Sequence, residues 1–278
     1  MLSTLNINTL FKTVCLSALI ATVGCNSQPA SNQPKKDSTA AVAVKEVPGT
    51  PIKYDSSKRY IYLTWDDGPQ PPGTNNCKHL FEEQGVKATF FIVGMNHSAP
   101  KRIALIDSIR NMYPQFLLAN HSITHAFKEN YKYFYSHPDS AVKEFLQAQQ
   151  ELKVPLKIIR LPGNNSWVGR GQLKGPKSTM EVCKRLDSLG FKVIGWDIEW
   201  QFNGTAPKQS ANEILAQISN KFETGYLNND NHCVILAHDR MYQKPNQVDS
   251  LRKVIATLKK DPRYVFETID HYPMLQNK

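Results

Sequence analysis

Two carboxylates stand side by side in Thr64-Trp65-Asp66-Asp67-Gly68-Pro69, at the end of an apolar run and directly before a turn-forming pair. Adjacent like charges in one site repel, and one of them is driven towards protonation. The pair makes sense if a cation lies between the two, or if they do different jobs. A surface turn is the alternative, because Asp, Gly and Pro all favour turns. Further on, His121-Ser122-Ile123-Thr124-His125 spaces two imidazoles four residues apart. On one helical turn they would share a face and could grip one metal; solvated or core histidines are the alternative. One carboxylate with two imidazoles is a common ligand set for catalytic zinc, leaving a fourth position open for water. Arg160, Asp197 with Glu199, and His238 with Asp239 complete the polar clusters.

Each cluster lies at or just past the end of a short apolar or β-branched run. The runs cover 60–65, 87–93, 116–120, 157–160, 192–198, 233–237 and 264–268. Between them, stretches with helical spacing cover 76–85, 99–113, 139–152, 178–190, 210–225 and 247–260. Several have start and stop signals: Asp139 and Ser178 as caps, Glu181 three residues after Ser178, and Gly190 and Gly225 as stops. Strands alternating with helices predict an α/β fold with a parallel sheet, either a barrel or a doubly wound sheet. Active sites of such folds lie at the C-terminal edge of the strands. Clusters on five strands converge best around a barrel mouth.

The chain has 278 residues, 41% hydrophobic and 21% charged, which suits a globular protein with a sizeable core. Its net charge of +10 is a mild excess without a dense basic stripe, so no nucleic-acid partner is expected. The N-terminus carries one charge, Lys12, and then an apolar run from Val14 to Val23, the size of a signal-peptide core and too short to span a bilayer comfortably. Thr22-Val23-Gly24-Cys25 resembles the lipobox of bacterial lipoproteins, although Thr22 stands where Leu is preferred. The expected organisation is therefore a lipoprotein signal peptide over 1–24, a flexible Ser/Pro/Asn/Gln-rich tether over 25–58 and one domain over 59–272. Cys25 would be a lipid anchor, the sole membrane attachment; an ordinary cleaved signal peptide is the alternative. Cys77, Cys183 and Cys233 are an odd number with no framework spacing, and are expected as buried free thiols.

The clusters also carry a resemblance. Thr64–Pro69 resembles the first motif of the polysaccharide deacetylase family (carbohydrate esterase family 4, the NodB homology domain). His121–His125 is similar to its second motif, Arg160-Leu161-Pro162-Gly163 to its third, Trp196–Trp200 to a variant of its fourth, and Leu236-Ala237-His238 to its fifth. The motifs occur in family order over about residues 60–270. The resemblance implies a distorted seven-stranded (β/α) barrel that removes acetyl groups from an N-acetylated polysaccharide, peptidoglycan or a chitin-like polymer. It implies Asp67, His121 and His125 as ligands of Zn2+, or of Co2+, Ni2+ or Mn2+ instead, with the metal polarising the acyl oxygen and activating water. Asp66 would be the general base and Arg160 its partner. His238 would be the general acid, charged at the start of the reaction and raised in pKa by a nearby carboxylate. Asp197 is taken over Glu199 as the carboxylate supporting the histidine, although the fourth motif departs from the family pattern. Leu236 would line the acetyl pocket, and Trp167, in a polar loop, would contact sugar. Loops 70–76, 126–137, 163–177 and 201–209 would shape the groove. The implied setting is the bacterial cell envelope, and a monomer is expected. An O-acetyl esterase acting on xylan-type polysaccharide and a catalytically inactive glycan-binding lipoprotein are the competing readings.

Overall fold

The computed structural model describes residues 46–276. The proposed signal peptide over 1–24, the Cys25 anchor and the tether up to residue 45 lie outside the described residues. No helix among the described residues is long and apolar enough to cross a membrane.

The strands are β1 (Arg59–Gly68), β2 (Ala88–Ile92), β3 (Phe116–Asn120), β4 (Ile158–Ile159), β5 (Trp167–Gly169), β6 (Gln172–Lys174), β7 (Lys192–Val193), β8 (Ile198–Glu199), β9 (Phe202–Asn203), β10 (Ala206–Pro207), β11 (His232–His238) and β12 (Tyr264–Phe266). The main sheet runs in the order β6-β5-β7-β4-β3-β2-β1-β11-β8, with β12 also paired to β1. All pairs in it are parallel except those made by the β5–β6 hairpin. The path ends on β6 and β8, so the sheet curls as a distorted barrel without closing.

Both faces of the sheet are covered, which is why its strands read as continuous apolar runs. Tyr60, Tyr62, Phe91, Leu117, Ala119 and Val234 fill one cluster. The alternate residues Ile61, Leu63, Trp65, Phe90 and Ile92 join the other, with side chains from the helices α1 (Gly73–Gln84), α2 (Pro100–Asn111), α7 (Ala211–Thr224) and α8 (Pro245–Leu258). Edge-to-face aromatic pairs, Trp65 with Phe81 at 4.9 Å and Phe90 with Phe116 at 5.6 Å, knit that second cluster. Cys77, Cys183 and Cys233 are buried and unpaired.

Local sequence accounts for most helix ends. Ser210 and Glu213 form a reciprocal capping box on α7, which stops at Gly225 with φ of 70°. The capping expected of Ser178 fails. It lies in a 3-10 turn (Lys177–Thr179), α6 (Met180–Ser188) begins after it, and Glu181 accepts a hydrogen bond from Arg185 instead. Asp139, expected as the cap, is instead in the first turn of α5 (Pro138–Glu151), two residues past the actual cap, His137.

Two boundaries move. Residues 46–58, expected in the tether, are tied to the C-terminal segment. Gly49 N–H donates to Asp270, Ile52 N–H to Gln276 and the Tyr54 hydroxyl to the His271 carbonyl. The ordered domain therefore begins earlier than residue 59. The run 192–198, read as one strand, divides into β7 and β8. Between them the carbonyls of Ile194 and Gly195 accept hydrogen bonds from the Arg160 guanidinium at 3.3 and 2.9 Å.

Candidate active site

Successive residues of a strand point to opposite faces, so Asp66 and Asp67 can meet one centre only where the alternation breaks. It breaks at Asp67, whose φ is 71°, and the pairing of β1 with β2 shifts register between Trp65 and Gly68. Gly68 is required there. A Cβ at that position would lie 2.4 Å from the Asp239 carboxylate and 2.8 Å from the Ile92 side chain. The Asn96 amide then holds the Asp67 carbonyl at 2.9 Å. Both carboxylates end up nearly buried, 2% and 5% exposed.

His121 follows directly on β3, with its N–H on the Ile92 carbonyl. Its Nδ1 lies 2.9 Å from the Arg160 carbonyl, which can only accept, so Nδ1 carries a proton and Nε2 is the nitrogen left to bind a cation. The expected helical turn between the two histidines is absent. His125 opens α3 (His125–Glu129), a single left-handed turn whose five residues have φ between 53° and 69°. Such a conformation costs roughly 1–2 kcal/mol per residue. Thr124 braces it by accepting from Phe127 N–H at 2.9 Å, and the Glu144 carboxylate of α5 accepts from Thr124 N–H and O–H at 2.8 and 2.6 Å. The rings of His121 and His125 lie 5.1 Å apart.

Among the described residues, Asp67, His121 and His125 form the group whose ligand atoms all lie within 4.8 Å of one another. Asp67 Oδ1 lies 3.2 Å from His125 Nε2 and 3.6 Å from His121 Nε2. That oxygen is buried and has no hydrogen-bond partner. An orphaned carboxylate oxygen aimed at two imidazole nitrogens, one with its tautomer fixed, is a donor set that fits a divalent cation. The second oxygen, Oδ2, accepts from Arg240 at 3.0 Å.

The electrostatics agree with such a site. Burial lowers His125 to about 4, assisted by His121, so it is a neutral donor near neutral pH. Burial opposes protonation of His121, yet Asp66 and Asp67 together hold it above the ordinary imidazole value. Burial would raise Asp67, but the nearby imidazoles of His121, His238 and His125 prevail and hold it well below the usual range. A cation binding here must displace the proton favoured on His121.

Arg160 is fully buried, and its four hydrogen bonds hold it in one pose. Besides Ile194 and Gly195, it donates to Thr64 Oγ1 at 2.7 Å and Asp66 Oδ1 at 2.9 Å. Its guanidinium lies 4.4 Å from the centre of the Phe91 ring. Burial lowers the Arg160 pKa against the pull of Asp66.

On the other side of β1, His238 is the register partner of Asp66 in β11. Asp66, Asp67, His121, His125, Leu236 and His238 line one cleft of about 180 Å³, together with Glu129, Tyr131, Leu161, Gly163, Trp196, Glu199, Phe202 and Arg240. The volume is small, below the range usual for whole drug-sized ligands. Leu236 forms part of its apolar wall. The His238 Nδ1 is buried without a partner.

Three expectations are corrected. His238 is lowered, not raised, because its burial outweighs the attraction of Asp67, Asp66 and Glu199. Asp197 does not line the cleft. Its oxygens accept the N–H groups of Asn228 and Val234 at 2.7 and 2.8 Å, which fixes the approach to β11. Glu199, two residues on, faces the cleft instead. Trp167 does not line the cleft: it is 3% exposed and packed against Tyr272 with ring centroids 5.5 Å apart, and what it leaves open borders a separate, neighbouring pocket. Its polar surroundings in sequence hid a strand, β5. Arg240, Glu144 and Tyr131 were missed. Arg240 follows His238 by two residues and Tyr131 lies in a loop already expected to shape the groove, whereas Glu144 gave no signal, being one acidic residue on a helix.

Comparison with known proteins follows the same lines. Residues 53–163 match the family described as polysaccharide deacetylase. A peptidoglycan-N-acetylglucosamine deacetylase of Bacillus cereus is 26% identical over 254 residues, 89% of this chain and 81% of that protein. YheN of Bacillus subtilis is 26% identical over 215 residues, 74% of this chain and 66% of that protein. The structure of a Streptococcus mutans CE4 esterase has the same fold, with a TM-score of 0.57 and 24% identity over 76% of this chain and 86% of that one.

Proposed function

Because this chain belongs to the polysaccharide deacetylase family, carbohydrate esterase family 4, we propose that it is a metal-dependent hydrolase removing acetyl groups from an N-acetylated polysaccharide, peptidoglycan or a chitin-like polymer. One observation carries the reading. Asp67, His121 and His125 gather their ligand atoms within 4.8 Å, beside a carboxylate clamped by Arg160 and opposite a half-buried histidine, His238. Zinc is the metal such a donor set suits best. When bound, a divalent cation supplies Lewis-acid polarisation of the acyl oxygen and lowers the pKa of water.

The remaining work falls to the chain. Asp66, oriented by Arg160, takes the proton of the attacking water. Arg240 occupies Oδ2 of Asp67 and leaves Oδ1 turned towards the histidines. Leu236 and Leu161 give the acetyl methyl an apolar wall. His238 delivers a proton to the departing nitrogen, with Glu199 as the nearby carboxylate that favours its charged form. The lipobox-like sequence at Cys25 and the bacterial peptidoglycan deacetylases among the relatives support a place in the cell envelope.

Ester hydrolysis is the second reading: burial disfavours the charged form of His238, and an alkoxide leaves with less help from an acid than an amine does. Acetate release from peptidoglycan, N-acetylglucosamine oligomers and acetylated xylan, measured after chelation and again after adding zinc, tests the reading. Zinc-restored release from the N-acetylated substrates is expected. No release from any of them, with or without metal, overturns it. A His238→Ala variant that keeps ester hydrolysis and loses amide hydrolysis separates the two chemistries.

A further inference from the structure

Beside the catalytic cleft lies a second and larger cavity, of about 550 Å³, lined among others by Trp196, Tyr226, Lys174, Asn165 and Asn228. Trp196 also lines the catalytic cleft, so one indole forms a wall of both. The backbone that carries this indole is held firmly. The Asn165 amide donates to the Trp196 carbonyl at 2.9 Å and its oxygen accepts from Trp196 N–H at 3.2 Å, while the Arg160 guanidinium lies 5.9 Å from its ring centre.

Tyr226 is the most exposed large hydrophobic side chain among the described residues, at 76%. Its backbone is pinned, since Lys221 Nζ donates to its carbonyl at 3.0 Å. The next turn is anchored by Asn228, whose side chain exchanges hydrogen bonds with Gln172 at 2.9 and 3.2 Å and whose N–H is held by Asp197. A fixed loop thus presents a bare phenol ring over a polar pocket. Aromatic faces beside amide groups suit a pyranose, which is apolar on its C–H face and polar at its rim. Lys174 is an exposed cation on the same wall. Asp197 also lines the pocket, with its oxygens turned to the backbone N–H groups of Asn228 and Val234.

We propose that this pocket is a second glycan subsite, seating a carboxylate-bearing sugar of the substrate chain while the acetyl group of a neighbouring unit occupies the cleft across Trp196. The proposal rests on the reading of the chain as a glycan deacetylase. It makes the pocket an element of selection for long, acidic glycans over short, neutral ones.

The test uses Tyr226→Ala and Lys174→Gln, both surface changes outside the catalytic cleft. For acidic glycan oligomers of four or more sugars, Tyr226→Ala raises KM about tenfold, the loss of one stacking contact, with kcat unchanged. It leaves an N-acetylglucosamine disaccharide unaffected. Lys174→Gln raises KM for the acidic oligomers and not for neutral ones of equal length. An unchanged KM in Tyr226→Ala, or an equal change on the disaccharide, overturns the subsite. Tryptophan fluorescence of chelator-treated protein, titrated with a fully deacetylated carboxylate-bearing oligosaccharide, reads binding without turnover. A response lost in Tyr226→Ala supports the subsite, and one that persists at equal affinity refutes it. If the wild-type protein releases acetate from no glycan, the deacetylase reading fails, and the titration still decides whether sugar binds here.

Discussion

Replacing Arg160 by Met separates the ion pair from the rest of the site. The side chain is 0% exposed, and Met fills much of its volume without charge. Four hydrogen bonds go with the guanidinium: those to Asp66, Thr64, Ile194 and Gly195. Leaving one member of a buried pair uncompensated costs about 3–5 kcal/mol. Each buried carbonyl stripped of its partner adds roughly 1–3 kcal/mol. Domains of this kind are stable by about 5–15 kcal/mol in total, so Arg160→Met should fold with little margin. Adding Asp66→Asn removes the stranded charge. The double variant should recover at least ~2 kcal/mol relative to the sum of the single ones, a coupling expected of groups in direct contact. Arg160→Lys keeps the charge and loses the planar fork, so its loss should fall between wild type and Met. Urea denaturation of chelator-treated protein measures all four. A loss under about 1 kcal/mol for Arg160→Met, or no coupling with Asp66→Asn, refutes the claim that the guanidinium holds both the base and the break between β7 and β8.

Asp66→Asn is expected to retain zinc, read by calorimetry, and to lose turnover by two orders of magnitude or more; loss of zinc as well would mean the two aspartates exchange roles. Glu199→Gln removes a carboxylate that favours the charged form of His238, so the falling alkaline limb of the kcat profile should move to lower pH, and an unmoved limb excludes Glu199 as its partner. His232, buried beside Tyr62, is lowered by burial to about 4 from an ordinary value of 6.5. The unfolded chain therefore takes up a proton that the folded one refuses. This stability is complete above about pH 6.5 and is lost as pH falls towards 4, by about 3 kcal/mol at 1.36 kcal/mol for each tenfold in proton affinity. His232→Phe should flatten the stability profile across that window relative to wild type, against the opposite slope from His121 and His271, which are both held above the ordinary value. Parallel profiles for variant and wild type exclude the effect. Zinc at a hundred times its dissociation constant should stabilise the protein by about 2.7 kcal/mol, and His125→Ala should abolish that increment in a thermal melt.

Much of this site was readable because its chemistry lies at strand ends. Apolar runs of five to seven residues announced β1, β2, β3 and β11, and the polar residues following them had nowhere else to be. What escaped was set by contacts distant in sequence. The left-handed turn at His125 depends on Glu144 from another helix, so the spacing of the histidines alone suggested an ordinary helix. The break within 192–198 depends on Arg160 drawing away two carbonyls, which no local preference encodes. Trp167 looked exposed because its neighbours are Asn, Ser and Gly, although its ring is covered by Tyr272 from the far end of the described chain. Asp197 and Glu199 are two residues apart and would share a face of a continuous strand; the bend before β8 separates them, so that only Glu199 reaches the cleft, and no local signal encodes that bend.

Asp66 and His238 lie opposite one another because β1 and β11 are parallel neighbours. Parallel partners cannot be joined by a tight turn, and here most of the domain intervenes. The three metal-ligating candidates all come from the first half of the chain, whereas the acid arrives only with the last fifth. A nascent polypeptide could thus shape a cradle for a cation well before it could cleave anything. The cleft is complete only once β11 lies beside β1, so the cation cradle and the proposed acid are brought together by a contact that spans most of the domain.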